Sequence, residues 1–161
     1  MSIYIYIYKK TLNYNMLMQN KKGLIMGVAN DRSIAWGIAK KLAEQGAEIA
    51  LTYQGEALKK RVEPLAQEIG SNILIPCDVS DSDSMRNVFQ TLKNKWGEFD
   101  FLVHGIGFSN KDELRGKYYN TSAENFRQTM HISCYSFTES CKLAEHIMKN
   151  GGSILTLTYY G

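Results

Sequence analysis

From residue 21 onward, short apolar runs alternate with stretches whose apolar residues return every three or four positions. The runs at 23–28, 47–53, 73–77, 99–104 and 153–158 read as strands. The second is apolar almost throughout, as expected of a strand covered on both faces. Between them, 34–45 reads as a helix with Ile34, Ile38 and Leu42 on one face and Gly46 as its stop. A second helix spans 56–69, with Pro64 as a kink or restart and Gly70 as its end. A third spans 81–96, capped by Ser80 or Asp81. Residues 105–120 form a loop rich in Gly, Asn, Lys and Tyr. A long helix capped by Thr121 or Ser122 then runs to about residue 149, with Phe126, Met130, Cys134, Phe137, Cys141, Ala144 and Met148 as its apolar stripe. Strand–helix alternation without hairpin signals predicts an α/β fold, a Rossmann-like doubly wound parallel sheet with right-handed crossovers. Ligands of such sheets sit beyond the carboxyl ends of the strands, which directs attention to the segments that follow each strand.

The first twenty residues fit this scheme poorly. Ser2 to Tyr8 alternates isoleucine and tyrosine without a charge, and Lys9, Lys10 and several asparagines follow. Residues 1–20 are expected to be an extension outside the fold, with Met16 or Met18 as an original start. An added edge strand or contact arm is the other reading. Residues 21–161 are expected to be one incomplete dinucleotide-binding domain, ending after its fifth strand.

Composition narrows the class. The 161 residues are 44% hydrophobic and 22% charged, which suits an ordinary soluble domain and excludes a disordered tail or a collagen-like chain. Nineteen basic and sixteen acidic residues leave a net charge of only +3 with no basic run, so no nucleic-acid partner is expected. Cys77, Cys134 and Cys141 form no C-x-x-C pair; they are read as buried thiols of a reducing compartment, with the cytoplasm as the default location. No apolar run is long enough to cross a membrane, and none is expected to anchor in one. His131 and His146 have no metal-ligand spacing, and no metal site is expected.

Chemistry concentrates after the strands. After the first strand, Gly27 permits a sharp turn and a close ligand. Ser33 stands at a helix start, where its hydroxyl can cap the helix or donate to a phosphate, and the free N–H groups of Ser33 and Ile34 favour an anion. Gly37 allows helix and sheet to approach. A glycine turn with an ordinary cap would look the same, and the spacing is not G-x-G-x-x-G. The second strand ends in Tyr53-Gln54, where Gln54 can hydrogen-bond an adenosine ribose without a charge. No arginine stands at that turn to meet a 2′-phosphate, which favours NAD over NADP; Lys59, Lys60 and Arg61 are read as solvated helix surface. Asp78 and Val79 after the third strand could accept from an adenine amino group and wall its ring, or cap and bury a helix entry. His104-Gly105-Ile106-Gly107-Phe108 closes the fourth strand with two glycines that a flat ligand can approach. His104 reads as a hydrogen-bonded structural residue rather than a base.

The turn from Gly27 to Gly37, Thr52-Tyr53-Gln54, Cys77-Asp78-Val79, His104-Gly105-Ile106-Gly107-Phe108 and Leu155-Thr156-Leu157-Thr158-Tyr159 occur together in order. That combination resembles the bacterial NADH-dependent enoyl-[acyl-carrier-protein] reductases, a divergent branch of the short-chain dehydrogenase/reductase superfamily, across residues 21–161. The resemblance implies that Gly27, Ser33 and Ile34 line the pyrophosphate of NADH. It implies that Gln54 holds the adenosine end, Asp78 and Val79 the adenine, and Ile106 the nicotinamide side. Ser109 would lie near the acyl substrate, and Tyr159 matches the first of two active-site tyrosines. The implied reaction is hydride transfer from NADH to the β-carbon of a trans-2-enoyl thioester carried by acyl carrier protein, in fatty-acid synthesis. The family is homo-oligomeric, assembling as tetramers through paired helices.

The family's second tyrosine, which hydrogen-bonds the developing enolate oxygen, and its lysine, which holds the nicotinamide ribose, would both fall beyond Gly161. Loss of an oxyanion donor alone costs about 10²–10³ in rate. The expectation is therefore a cofactor-binding portion with little or no reductase activity by itself and an open edge at the fifth strand. The alternative is a non-catalytic NAD-binding module, or a subunit completed by a separate C-terminal partner. A ketoacyl or sugar reductase of the same superfamily is disfavoured by the Gly27 turn and by H-G-I-G-F.

Overall fold

The computed structural model describes residues 16–159. The alternating segment at 2–8 lies outside them. Residues 16–20 pack onto the fold: the Met18 N–H donates to Gln45 O at 2.9 Å, and the Met18 side chain joins the core beneath the first two helices. The described residues 16–20, expected outside the fold, are therefore part of it.

Among the described residues, five strands form one parallel sheet: β1 Lys22–Met26, β2 Glu48–Tyr53, β3 Ile73–Pro76, β4 Phe101–His104 and β5 Ser153–Thr156. Their spatial order is β3-β2-β1-β4-β5, so the direction of winding reverses between β1 and β4. Register aligns Gly23 with Ile49 and Phe101, and His104 with Met26 and Thr156. Each expected strand is present, trimmed by one or two residues at an end, and β1 also begins one residue earlier than expected.

Alternation along the strands splits the core between the two faces. Ile25, Leu51, Phe101 and Val103 pack under α1 (Ile34–Glu44) and α2 (Gly55–Glu68) through Ala35, Trp36, Ala39, Val62 and Ala66. Leu24, Met26, Ala50 and Leu102 pack on the other face against α3 (Ser82–Trp96) and a helix near the C-terminus, through Met85, Val88, Leu92, Ala144 and Ile147. Fully buried aliphatic side chains of this size each contribute roughly 1.5–3 kcal/mol. Asp81 caps α3 by accepting from the Asp83 N–H at 2.9 Å. Pro64 does not restart α2, which continues through it. The proline is exposed, so the carbonyl it leaves without a partner can meet water.

The expected long helix is three pieces: α4 (Ala123–Met130), a wide π turn (His131–Tyr135) and α5 (Ser136–Glu145). Its inner face matches the apolar stripe read from the sequence only near the C-terminal end, at Ala144 and Met148. Asn125, Ser136, Ser140, Ala144 and Ile147 are buried, whereas Phe126 and Met130 are nearly half exposed. Small side chains let the helix lie close to the sheet. The serines satisfy their own hydroxyls, Ser136 Oγ donating to Ile132 O at 2.6 Å and Ser140 Oγ to Ser136 O at 2.7 Å.

Candidate functional site

A cleft of about 370 Å³ crosses the carboxyl ends of β3, β2, β1 and β4, over the point where winding reverses. Its walls come from the segments after each strand: Gly27 to Ala29, Thr52 to Gln54, Cys77 to Ser80 and Gly105 to Phe108. Leu58 of α2, Gln128 of α4 and Ile132 of the π turn close it. Five of the nine site residues named from the sequence, Gly27, Gln54, Asp78, Val79 and Ile106, therefore meet in one place.

Gly27 leaves β1 at φ 95°, a left-handed conformation that favours glycine. The two strand ends flanking the winding reversal touch here, since a β-carbon on Gly27 would overlap the Gly105 carbonyl. Ser33 and Ile34 do not line the cleft. The Ser33 hydroxyl neither caps α1 nor points at a free site. It accepts from the Ala29 and Asn30 N–H groups at 3.0 and 3.1 Å, bracing the turn from behind. Its own N–H, expected to be free, donates to Asn30 O at 3.2 Å. The first intrahelical bonds are those of Trp36 and Gly37 to Ser33 O, so Ile34 and Ala35 carry the amides ahead of the helix, and its first turn has no acidic residue. The Ile34 side chain is 70% exposed.

On the β3 side, Gln54 Nε2 donates to Asp78 Oδ2 at 3.0 Å, joining the ends of β2 and β3. Asp78 Oδ1 accepts from the Ser80 hydroxyl at 2.6 Å and the Ser80 N–H at 2.9 Å. Those donations from Ser80, aided by Gln54, hold the Asp78 carboxyl below its ordinary range, so it is anionic at neutral pH. Val79 is buried beside it. Burial pushes the Cys77 thiol up to about 12, leaving it protonated and unreactive. Of the other cysteines expected to be buried, Cys141 is half-buried and Cys134 is exposed; all three are free thiols.

On the β4 side, His104 is fully buried. Ser136 Oγ donates to Ile132 O, so it accepts from His104 Nε2 at 2.7 Å, and the imidazole carries its proton there. Thr156 Oγ1 lies 3.3 Å from Nδ1. Burial pulls His104 below its ordinary range, so it is a neutral brace between β4, α5 and β5, as its sequence context suggested. Ser109 lies outside the cleft lining. Its hydroxyl accepts from Asn125 Nδ2 at 3.1 Å and Thr129 Oγ1 at 3.1 Å. Tyr159 is 91% exposed and also lies outside the cleft.

Sequence reading missed Leu58, Ser80, Gln128 and Ile132. Ser80 carried a local signal, since Asp-x-Ser is an Asx-turn pattern. Gln128 and Ile132 carried none, because the helix face that bears them was assigned to the wrong stripe.

The family model described as enoyl-(acyl carrier protein) reductase matches residues 27–161. The chain belongs to this family. It is 63% identical over 145 residues to enoyl-[acyl-carrier-protein] reductase [NADH] 1 of Rhizobium meliloti, covering 90% of this chain and 53% of that protein. It is 57% identical to the FabI enoyl-[acyl-carrier-protein] reductase [NADH] of Rickettsia typhi, covering 90% of this chain and 56% of that one. A crystal structure of the Anaplasma phagocytophilum reductase in complex with NAD superposes with a TM-score of 0.88 at 58% identity, covering 91% of this chain and 56% of that one. The chain thus spans about half the length of the reductases it matches.

Proposed function

We propose that this chain forms the dinucleotide-binding portion of an NADH-dependent enoyl-[acyl-carrier-protein] reductase of fatty-acid synthesis. The observation that carries the reading is the meeting of Gly27, Gln54, Asp78, Val79 and Ile106 around one cleft in a reductase-family chain. The residues fit NADH. A carboxylate and a carboxamide stand at the β3 end, glycine backbone at the centre, and Ile106, Gly107 and Phe108 at the β4 end. When bound, NADH supplies the hydride that reduces the β-carbon of the enoyl thioester.

The chain's own residues bind and orient. Asp78 accepts from the adenine amino group while Val79 walls the ring. Gln54 spends one amide hydrogen on Asp78 and presents its remaining polar atoms to the ribose. Gly27, with the amide of Ile34 and the braced Ser33 turn behind it, admits the pyrophosphate. The absence of an added positive charge at Gln54 suits NADH over NADPH. Ile106 flanks the nicotinamide, Ser109 stands towards the acyl group, and Tyr159 takes its place beside the thioester once neighbouring chain covers it. The substrate partner is enoyl-acyl carrier protein. The half-exposed Phe126, Met130 and Tyr135 support assembly with further copies, and the three free thiols support a cytoplasmic site.

A chain that spans about half the length of the reductases it matches also supports a second reading for the isolated polypeptide, a binding module without turnover. NADH consumption with a trans-2-enoyl thioester separates the two. The 161-residue chain is expected to bind NADH but not oxidise it. Turnover is expected once the remaining part of the Rhizobium meliloti relative is supplied as a separate polypeptide. Binding that never leads to turnover with that partner would favour the module; no binding at all would contradict both.

A further inference from the structure

The segment after β4 has few anchors. The last ladder bond runs from the Gly105 N–H to Met26 O at 2.9 Å, and past Phe108 the next backbone tie is the Asn110 N–H to Asn125 Oδ1, also at 2.9 Å. Between them lie Ile106, Gly107 and Phe108, which wall the cleft, with Gly107 and Phe108 exposed. One side chain grips this stretch. Ser133 Oγ accepts from the Phe108 N–H at 3.0 Å and donates to Phe108 O at 3.2 Å, fixing both polar groups of one peptide-bearing residue. We propose that Ser133 is a positioning residue for the cofactor, holding the Ile106-Gly107-Phe108 wall at the β4 end of the cleft.

Its place in the fold supports this role. Ser133 sits inside the wide turn His131–Tyr135; such π turns occur mostly as single interruptions of α-helices and are frequent at functional sites. Its neighbour Ile132 lines the cleft directly. Three residues on, Ser136 holds His104 at the end of the same strand. Two hydroxyls from one interrupted helix therefore pin two points of one strand-to-loop passage. Ser136 is buried in the core, whereas the Ser133 bonds are solvent-exposed. Water can replace an exposed hydrogen bond, so the clamp adds little to global stability. What it restricts is the local freedom of a glycine-containing wall, and that freedom is lost again whenever a ligand must be held against it.

The proposal rests on the cleft binding NADH, and the two are separable because the cofactor has two ends. Adenosine 5′-monophosphate reaches only the Gln54–Asp78 side, whereas NADH spans to Ile106. Calorimetric titration of both nucleotides into the 161-residue chain, S133A and S133T, with a thermal melt of each, supplies the test. S133A is expected to bind NADH about tenfold more weakly, the scale of one lost net hydrogen bond. Its affinity for adenosine 5′-monophosphate and its melting temperature are expected to hold. S133T, which keeps the hydroxyl, is expected to restore NADH affinity. Unchanged NADH affinity in S133A, or equal weakening of both nucleotides, would overturn the positioning role. A parent chain that binds neither nucleotide would overturn the cofactor reading beneath it.

Discussion

Gly27 turns the chain at a φ of 95°, with its α-carbon set against the Gly105 backbone so closely that no side chain fits. Both conditions oppose any L-residue there: a strained backbone costs about 1–3 kcal/mol, and the overlap must be relieved by parting β1 from β4. Gly27→Ala is expected to lower stability by at least about 2 kcal/mol in denaturant titration and to remove NADH binding. An unchanged midpoint would show that the turn tolerates a side chain. His104 makes a different kind of demand. Its charged form is disfavoured by burial, so the unfolded chain takes up the proton more readily than the folded one. Protons therefore favour unfolding as pH drops below about 6.5, the ordinary histidine value, by up to about 1.4 kcal/mol per pH unit. The melting temperature should fall over that range in the parent and fall less steeply in His104→Gln. Parallel pH profiles would mean that His104 titrates alike in both states.

The helices show where apolar spacing is a sufficient guide and where it is not. In α3, Met85, Val88, Phe89 and Leu92 recur at helical spacing and are all buried. In α4 and α5 the same rule points to Phe126 and Met130, yet Asn125 is buried against the loop after β4, and Ser136 and Ser140 are buried in the core. Periodicity ranks residues by water aversion, whereas this contact selects for size. A seryl hydroxyl that bonds its own helix carbonyl loses little by burial and takes up no more room than the close approach allows. The π turn adds to the misreading, because one wide turn shifts the face presented on either side of it. Ser140→Leu tests the account at this scale. Enlarging a fully buried site is expected to cost about 1–3 kcal/mol, whereas a stripe centred on Cys141 would predict a gain. Equilibrium unfolding of that variant decides between them.

At the scale of the molecule, the sheet was legible because each strand is a compact apolar run bounded by glycine or polar turns, and no hairpin signal competes with a parallel winding. The strand order adds what sequence lacks: it sets the ends of β1 and β4 side by side, so Gly27 and Ile106, far apart in the chain, share a wall. Glycine, Gln54 and Asp78-Val79 were legible because they stand directly after strands, where backbone geometry alone decides their position. Ser33, Ser109 and Tyr159 were harder to place. Their roles depend on which partner a hydroxyl finds or on what covers an exposed ring, and neither is written in local pattern. The same holds for Gln128 and Ile132, which reach the cleft, and for Ser133, which reaches its Phe108 wall, only through the packing of α4 and the π turn.

Heteronuclear NMR of the isotope-labelled 161-residue chain, titrated with NADH, addresses the cleft itself. Saturable shifts are predicted at Gly27 to Ala29, Gln54, Asp78 to Ser80 and Gly105 to Phe108, together in one binding event. The contradicting result would be an unperturbed spectrum, or shifts gathered elsewhere, such as the groove between α3 and α5 lined by Arg86, Lys93 and His146.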